Sequence, residues 1–382
     1  MEVKKSSETE TWKKITEPRG KRPLRGAVIG YGFIAEKGHV PAYLERAKNR
    51  GDVEIVAIAD SCEARRALAR QVVRDARIYS DYESLLAGEA GQIDFVDIAV
   101  PPCDHAEIAR AAFKHGLHVL CEKPLATSVE DARSMLSHAV AAKRVLFPCH
   151  TYKHAPVVKA VRQVIQSGLI GKVRLLTLNT YRFTHARGVS QWRPDWRRER
   201  RFSGGGIAMD HGSHTFYLAF EWLGGYPTSI SAKMSTLGDF DTEDNFACTM
   251  NFPNGVATAQ LTWSAGVRKV LYAIHGEKGA ITVVDDDIEV ATAQIPTGPD
   301  ASPANTKWRF ERQSISSNWM DASHVKWFDS LLDQFTKAID AGDFAGNEAR
   351  DSLMCVQLIQ TAYQSAEKES CRELPLATKI SL

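Results

Sequence analysis

The sequence predicts an α/β protein with two parts, a doubly wound parallel sheet followed by an α/β domain with a large, mainly antiparallel open sheet. Three observations predict this fold. Short apolar runs alternate with helical periodicities up to residue 147. Beyond that point, strand-like runs follow one another with short turns. The 382 residues suit two domains at ~100–200 residues each.

The parallel sheet is predicted from apolar runs at residues 27–29, 53–59, 95–100, 119–120 and 145–147. Helical periodicities lie between them, for example at residues 64–73 and 108–113. Apolar strands separated by helices are typical of a parallel sheet covered on both faces. Residues 127–130 (Thr-Ser-Val-Glu) have the form of a capping box, which predicts a helix over residues 129–142.

The second half contains strand patterns at residues 173–181, 229–234, 246–252, 256–263, 270–275 and 280–284. Turn residues occur between some of them, at 253–255 (Pro-Asn-Gly) and 277–279 (Glu-Lys-Gly). Sequential strands with short turns indicate a mainly antiparallel sheet. Helical patterns at residues 325–341 and 348–369 follow.

Composition and charge exclude several classes of protein. Lys and Arg number 48 against 46 Asp and Glu, and the net charge of +2 gives no support to a nucleic-acid or membrane partner. No apolar run approaches the ~18–20 residues of a membrane helix. Residues 1–22 are polar and lack the apolar core of a secretory signal, so we expect a mobile arm, or a docking arm for a partner subunit. Seven scattered Cys without a Cys-x-x-Cys pair favour the cytoplasm.

A glycine loop follows the first predicted strand. Gly30, Gly32 and Ala35 form the pattern G-x-G-x-x-A at a strand–helix junction. The first glycine permits a tight turn, the second lets the backbone approach a pyrophosphate, and Ala35 allows close helix packing. The N-terminus of the helix favours phosphate. The position, more than the common glycine pattern itself, predicts a dinucleotide site that includes Phe33 and Ile34.

Asp60 ends the second predicted strand, 28 residues after Gly32. A carboxylate there can accept hydrogen bonds from the ribose of NAD, although the usual spacing is ~20 residues. The alternative is an aspartate that caps the next helix. The carboxylate of Asp60 favours NAD. Arg65 and Arg66, which follow, could tolerate a 2′-phosphate, so NADP stays open.

Two further groups of residues could carry chemistry. Lys123 lies at the carboxyl end of a strand, where it could contact a reacting oxygen, unless it is a surface lysine at a turn. Asp210 and His214 are four residues apart, and a His beside a carboxylate suits proton transfer. A core histidine is the alternative. A metal site with His211 lacks the H-E-x-x-H pattern and a third ligand cluster, so no metal is predicted and His211 is assigned to structure.

Residues 192–201 hold five Arg and two acids, interleaved with two Trp. A charge run is usually a solvated face, and nucleic-acid binding has no accompanying motif. Because Arg matches phosphate and carboxylate geometry, we expect Arg193 and Arg197 to hold an anionic substrate group, such as a sugar phosphate.

Together these motifs resemble the Gfo/Idh/MocA family of nicotinamide-dependent oxidoreductases, named for glucose–fructose oxidoreductase and inositol dehydrogenase. The resemblance runs from about Leu24 to the final helices. It rests on Gly30-x-Gly32-x-x-Ala35, Pro101-Pro102 with His105, Glu122-Lys123-Pro124 and Gly204-Gly205-Gly206-x-x-x-Asp210-x-x-x-His214.

The resemblance implies a Rossmann domain, which we place at residues 23–148, and a substrate-binding and oligomerisation domain at residues 149–382. The open sheet of such proteins often forms the subunit interface, so a homodimer or homotetramer is expected. Lys123 would contact the reacting oxygen, and His214 would act as acid/base with support from Asp210. The residues expected along the cofactor are Gly30, Gly32, Phe33, Ile34, Asp60, Pro101, His105, Glu122 and Lys123.

Two departures from the family pattern concern the substrate. The family often has an Arg-Phe pair where this chain has residues 151–154 (Thr-Tyr-Lys-His), so Tyr152 and Lys153 become candidate substrate contacts. It also often has an Asp three residues after the catalytic His, where this chain has Tyr217. These departures put free inositol and glucose in doubt as substrates.

The predicted function is hydride transfer between NAD(P) and a hydroxyl or keto carbon of a sugar, a cyclitol, or a phosphorylated or nucleotide-linked sugar. Two alternatives stay open. One is an NAD-dependent glycosidase or isomerase that uses transient oxidation. The other is a non-catalytic NAD-sensing protein, against which the presence of Lys123, Asp210 and His214 argues.

Overall fold

A computed structural model of the protein describes residues 22–294, 306–316 and 323–374. The predicted N-terminal arm, apart from Arg22, lies outside the described residues. No helix in the described part of the chain has the length and apolar character needed to cross a membrane. The described residues form two sheets and the helices that cover them.

The first sheet has six parallel strands in the order β3-β2-β1-β4-β5-β6. The strands are β1 Leu24–Ile29, β2 Val53–Ala59, β3 Arg77–Tyr79, β4 Phe95–Ile98, β5 His118–Cys121 and β6 Leu146–Pro148. The helices between them are α1 Val40–Asn49, α2 Glu63–Val72, α3 Tyr82–Gly88, α4 His105–Lys114 and α5 Val129–Ala142. The predicted doubly wound sheet is confirmed. Strand β3 was not predicted, because its three residues are only partly buried or exposed.

The second sheet has nine strands in the order β14-β13-β12-β11-β7-β10-β9-β8-β15. The strands are β7 Val173–Tyr181, β8 Ser229–Ser235, β9 Asn245–Phe252, β10 Gly255–Thr262, β11 Lys269–Gly276, β12 Gly279–Val284, β13 Asp287–Gln294, β14 Lys307–Ser314 and β15 Arg372–Glu373. β7 and β10 are parallel, and the other described neighbours are antiparallel. The predicted open, mainly antiparallel sheet is confirmed.

The helices of the second half of the chain pack against both sheets. They are α6 Pro156–Gln166, α7 Arg200–Ser203, α8 Ile207–Leu223, α9 Val325–Ala341 and α10 Asn347–Glu367. Helix α8 is buried along most of its length, in the same apolar cluster as the second sheet. Helices α9 and α10 return to the first sheet, where Phe328 packs in a core with Val28, and Leu353 in a core with Ala27. The predicted domain boundary at residue 148 therefore stays a proposal, because residues of α9 and α10 belong to the two apolar cores that flank the first sheet.

Helix α5 begins at Val129, as predicted, but its cap lies one residue later than the predicted capping box. Ser128 Oγ accepts a hydrogen bond from the Asp131 backbone N–H at 3.0 Å and donates to the Asp131 carboxylate at 2.9 Å. Such a cap satisfies an N–H group that the helix leaves without an internal partner. It fixes the start of α5 just beyond the loop that carries residues 122–124.

Candidate active site

The loop after β1 is shaped by two glycines. Gly30 has a φ of +94°, and a Cβ on it would lie 2.7 Å from the Ala99 carbonyl oxygen. A Cβ on Gly32 would meet no atom within 4 Å, so the backbone there faces open space. Ala35 is fully buried at the start of a π-helical turn that leads into α1. A phosphate can therefore approach Gly32 at the N-terminus of this helix.

A cavity of about 660 Å³ lies between this loop, the carboxyl ends of the neighbouring strands and the start of α8. Most of the predicted site residues line it. They are Gly30, Gly32, Phe33, Ile34, Asp60, Pro101, Glu122, Lys123, Tyr152, Arg197, Asp210 and His214. Residues predicted separately as cofactor and substrate contacts thus share one space.

Asp60 lies on the cavity wall at the end of β2. Its carboxylate accepts hydrogen bonds from the backbone N–H groups of Tyr31, at 2.6 Å, and Cys62, at 2.7 Å. It thereby connects the glycine loop to the turn before α2, as a local cap would. Because carboxylate oxygens carry further lone pairs, this role leaves acceptor capacity for ribose hydroxyls.

Lys123 and Asp210 meet across the cavity. The Lys123 Nζ lies 2.9 Å from Asp210 Oδ1 and 3.0 Å from the Asp210 carbonyl oxygen. Arg197 and His211 lie further out, 3.5 Å and 3.8 Å from the same carboxylate, and His211 also lines the cavity. Burial alone would raise the pKa of Asp210, but the charges of Lys123 and Arg197 hold it well below its usual range. Asp210 is therefore ionised and holds the ammonium in place.

His214 lies one turn further along α8. Its ring stacks on Tyr152, with centroids 3.9 Å apart and planes 12° apart, and its Nδ1 lies 3.4 Å from the Tyr217 hydroxyl. Burial, followed by the charge of Lys123, holds the pKa of His214 well below its ordinary value, so the imidazole is neutral. Although both residues are described, no hydrogen bond or ion pair joins Asp210 to His214. Tyr217, at the position where the sequence resemblance implies an Asp, supplies the polar contact to this ring.

The start of α8 is held by a buried carboxylate. Glu243 accepts hydrogen bonds from the backbone N–H groups of Gly206, at 2.9 Å, and Ala208, at 3.0 Å, and from the Tyr363 hydroxyl at 2.9 Å. A Cβ on Gly206 would lie 2.0 Å from the Glu243 carbonyl oxygen, so this position requires glycine. The contact places the first turns of the helix, and with them Asp210, against the cavity.

Three predicted residues do not line the cavity. His105 is fully buried beneath it, and its ring nitrogens lie within 3.0 Å of two backbone carbonyl oxygens. Lys153 is bound by Glu348 and Asp351 of α10, at 2.9 Å and 3.1 Å. Arg193 is about half exposed at the surface. The structure therefore offers none of these three side chains directly to a ligand in the cavity.

Other lining residues were missed by the reasoning from sequence. They include Arg182, His185, Trp263 and Arg268. Arg182 directly follows β7, and Arg268 directly precedes β11. Both strands were predicted, so the residues just beyond their ends could have been chosen as candidates. The sequence did not show that these two strands pair, and so it did not bring Arg182 and Arg268 together.

A buried histidine lies behind Glu122. His39 Nδ1 is 2.9 Å from Asp97 and Nε2 is 3.0 Å from Glu122. Burial alone would lower the pKa of His39, but Asp97 and Glu122 raise it to about 10, so the ring is a cation. His39, Glu122 and Cys149 offer ligand atoms within 4.8 Å of one another. Both ring nitrogens of His39 already lie within hydrogen-bond distance of a carboxylate, so the contacts within the cluster satisfy the ring and we propose no metal here.

Comparison with known families shows which family the chain belongs to. Residues 24–150 match the family described as "Oxidoreductase family, NAD-binding Rossmann fold", and residues 158–282 match the GFO/IDH/MocA C-terminal domain. The chain belongs to the GFO/IDH/MocA oxidoreductase family. The expected family, the enzyme class and NAD as cofactor are confirmed by this match and by the relatives that follow.

Named relatives cover most of this GFO/IDH/MocA chain. D-apiose dehydrogenase of Paraburkholderia graminis is 25% identical over 359 residues, which cover 92% of this chain and 90% of that protein. D-glucoside 3-dehydrogenase of Escherichia coli K12 is 30% identical over 250 residues, with coverage of 61% and 68%. The structure of levoglucosan dehydrogenase with NADH and levoglucosan has a TM-score of 0.77 at 24% identity and covers 93% of this chain and 100% of that one. This structural likeness supports the fold.

In this member of the family, the two arginines after Asp60 donate hydrogen bonds to other groups of the protein. Arg65 is buried and donates to the Tyr31 carbonyl oxygen at 2.7 Å and to Glu36 at 2.5 Å. Arg66 donates to the Asp60 carbonyl oxygen at 2.7 Å and to the side chain of Glu63. A 2′-phosphate would have to compete with these contacts, so the structure favours NAD over NADP.

Proposed function

We propose that this protein is an NAD-dependent dehydrogenase or reductase that transfers a hydride between the nicotinamide and a hydroxyl or keto carbon of a sugar or cyclitol, including phosphorylated or nucleotide-linked sugars. The observation that carries the proposal is the Lys123–Asp210 pair, which shares one cavity with His214 and the glycine loop. Relatives named D-apiose dehydrogenase and D-glucoside 3-dehydrogenase support a sugar as the substrate.

Lys123 is suited to bind the reacting oxygen. An ammonium has three N–H donors. Asp210 takes two of them, at 2.9 Å and 3.0 Å, and the third is left for an oxygen in the cavity. A positive charge fixed there stabilises the negative charge that develops on an alcohol oxygen during oxidation.

His214 is suited to move the proton. A neutral imidazole can accept the hydroxyl proton when the alcohol is oxidised and return it when the ketone is reduced. If Nδ1–H donates to the Tyr217 hydroxyl, Nε2 is left as the proton acceptor. Bound NAD supplies the hydride acceptor, and NADH the hydride donor.

The cofactor would be held by the first half of the cavity. The Gly32 backbone and the helix N-terminus that follows suit the pyrophosphate, and Asp60 suits the adenosine ribose. Pro101 and Glu122 line the space between this point and Lys123. His105 would act from beneath, by holding the loops that carry these residues.

The experiment that tests the proposal is a turnover assay. Purified protein is incubated with NAD and a panel of sugars, cyclitols and sugar phosphates, and the NADH absorbance band is followed. NADH formation with at least one polyol in the wild type, and its loss in Lys123→Ala, support the dehydrogenase. Substrate turnover without a net change in NADH would instead identify transient oxidation. NADH binding with no turnover of any kind would favour a sensing role.

We also propose a homodimer or homotetramer in the cytoplasm. The open face of the second sheet carries exposed apolar side chains, with Leu175, Trp308 and Phe310 each about half exposed. The register places them on one face of the sheet, which is a surface suited to a second copy. Light scattering from the purified protein would measure the oligomeric state.

The cytoplasm is proposed because all seven cysteines are free, as expected in a reducing compartment.

A further inference from the structure

Two arginines meet at the end of a strand pair in the substrate half of the cavity. Strands β7 and β11 are antiparallel, and Tyr181 is paired with Lys269 at the end of the ladder. Arg182 and Arg268 are the next residues on each strand, so they lie opposite each other just beyond the ladder. Both line the cavity.

We propose that Arg182 and Arg268 form a subsite for an anionic group, a carboxylate or a phosphate, carried by the sugar substrate. The proposal rests on the proposed function and names the substrate class within it. Two guanidinium groups at one place match the geometry and charge of either anion.

The charges of the cavity wall differ between its two halves. Among the described lining residues before position 125, acids outnumber bases, with Asp60, Asp81, Asp104, Glu107 and Glu122 against Arg65 and Lys123. Among the described lining residues after position 150, Asp210 is the only acid, against Arg182, Arg187, Arg197 and Arg268. An anionic end of the substrate is therefore favoured on the second side.

Two of these four arginines lie near a carboxylate of the protein. Asp210 binds Lys123 and lies 3.5 Å from Arg197. Arg187 pairs with Asp195, which lies outside the cavity wall. Arg182, by contrast, makes no ion pair with any described residue, and its buried Nε has no hydrogen-bond partner among them. Its charge is available to a ligand.

The two arginines are close enough to affect each other. Burial, followed by the charge of Arg182, lowers the pKa of Arg268. The charge of Arg182 also contributes to the lowered pKa of His211, after burial. Like charges repel one another, and an anion bound between the two arginines would reduce this repulsion.

The subsite is adjacent to the reacting groups. Arg182 Nη2 lies 3.4 Å from the Tyr152 hydroxyl, and the Tyr152 ring stacks on His214 at 3.9 Å. One aromatic side chain thus separates the anion subsite from the proposed proton acceptor. A sugar acid or a sugar phosphate can span that distance with its hydroxyl at His214 and its anionic group at Arg182.

The arginines expected from the sequence to hold an anion, Arg193 and Arg197, are less suited to this subsite. Arg197 lies beside Asp210, with its guanidinium 4.2 Å from the Trp196 ring centroid, and Arg193 is outside the cavity wall. Arg198 pairs with Asp244 at 2.6 Å. The arginine-rich segment is therefore largely occupied by contacts within the protein.

Isothermal titration of the NADH-loaded protein tests the subsite without turnover. Bound NADH blocks the cofactor's own phosphate site, so inorganic phosphate, D-glucuronate and neutral D-glucose can be compared at the remaining space. We expect phosphate or D-glucuronate to bind more tightly than D-glucose. Binding of phosphate alone would indicate a phosphate ester as substrate, and binding of D-glucuronate alone a sugar acid.

Variants locate the binding. Arg182→Gln should weaken binding of the anion about tenfold or more, which is about 1.4 kcal/mol, and Arg182→Lys should weaken it less. Arg174→Gln is the matched control, since Arg174 lies near the other end of β7, is 47% exposed and pairs with Glu277. It should leave anion binding unchanged.

Two results would overturn the subsite. One is a wild-type holoprotein that binds neither anion more tightly than D-glucose, a result that does not depend on whether any variant folds. The other is equal anion affinity in wild type and a folded Arg182→Gln protein. A failure of NADH itself to bind, measured first in the same samples, would count against the proposed function, whereas normal NADH binding without anion binding counts against the subsite alone.

Discussion

Lys123 Nζ lies 2.9 Å from Asp210 Oδ1, although 87 residues separate the two in the chain. Lys123 follows β5 of the first sheet, whereas Asp210 is in the first turns of α8. The pair therefore joins the half of the cavity that suits the cofactor to the half that suits the substrate. Because its contact is with Asp210 rather than with the glycine loop, loss of Lys123 should affect the chemistry and spare cofactor binding.

Replacing Lys123 with Ala should lower kcat by roughly 10²-fold or more, since it removes the donor and the charge that stabilise the reacting oxygen. NADH affinity, measured by fluorescence titration, should change little. A matched control is Lys159→Ala, because Lys159 on α6 does not line the cavity. An equal loss of NADH affinity and kcat in Lys123→Ala would point to a structural role for this residue.

The pH dependence of oxidation should reflect the environment of His214. Protonation removes the proton acceptor, so activity falls as the pH falls through the pKa of His214. Burial and Lys123 hold that pKa well below its ordinary value of about 6.5. We therefore expect kcat/KM for alcohol oxidation to stay level from pH 8 to below about 6.5, as measured by initial rates.

His214→Gln supplies the comparison for this pH profile. It should lower kcat by roughly 10²-fold and abolish the acidic limb, because the group that titrates is gone. An acidic limb in the wild type with its midpoint at or above pH 6.5 would contradict the neutral imidazole. The same limb persisting in His214→Gln would assign it to another group.

The strongly patterned elements could be predicted from the sequence. Strand β9 alternates buried and exposed residues along its length, and helix α5 begins at the predicted residue. Strand β14 could not be predicted, because all eight of its residues are exposed and no buried face imposes a pattern on them. Sequence periodicity reports burial, so an edge strand that covers nothing is invisible to it.

The candidate site was predictable where a motif carries its own geometry. Gly30 and Gly32 follow from the turn, and Asp210 and His214 from helical spacing. Lys153 could not be placed, because its partner Glu348 is 195 residues away in the chain. The pair of Arg182 and Arg268 required the register of β7 with β11, which local sequence does not encode.

Glu243→Gln should destabilise the start of α8. The wild-type carboxylate accepts two backbone N–H groups and the Tyr363 hydroxyl, whereas an amide offers only one acceptor oxygen. Leaving a buried donor without a partner costs about 1–3 kcal/mol, which urea unfolding would measure. Activity should fall as well, because this helix carries Asp210 and His214.

Glu277→Gln is the control for this substitution. Glu277 is 44% exposed and pairs with Arg174 at the surface, so its replacement should leave the free energy of unfolding nearly unchanged. If Glu243→Gln were no more destabilised than this control, the buried cap would not hold the helix.

The His39 cation gives stability a pH dependence that can be isolated. The pKa of His39 is about 10 in the folded protein and about 6.5 in an unfolded chain. Its contribution is therefore fully present below about pH 6.5, declines as the pH rises, and is lost as the pH passes 10. Glu122 has a lowered pKa, so its share of the same contact is lost only as the pH falls through the acid range.

Comparison of wild type with His39→Gln separates this contribution from the other groups that titrate at high pH. Removing one partner from a buried ion pair costs about 3–5 kcal/mol. Urea unfolding should show a deficit of that order at pH 6 and a smaller one at pH 9.5, because the wild type loses its advantage as His39 deprotonates. A deficit that stays level or grows between pH 6 and pH 9.5 would mean that His39 is neutral in the folded protein. A neutral ring has no proton to lose over this range, so its contribution to the free energy of unfolding would not decline.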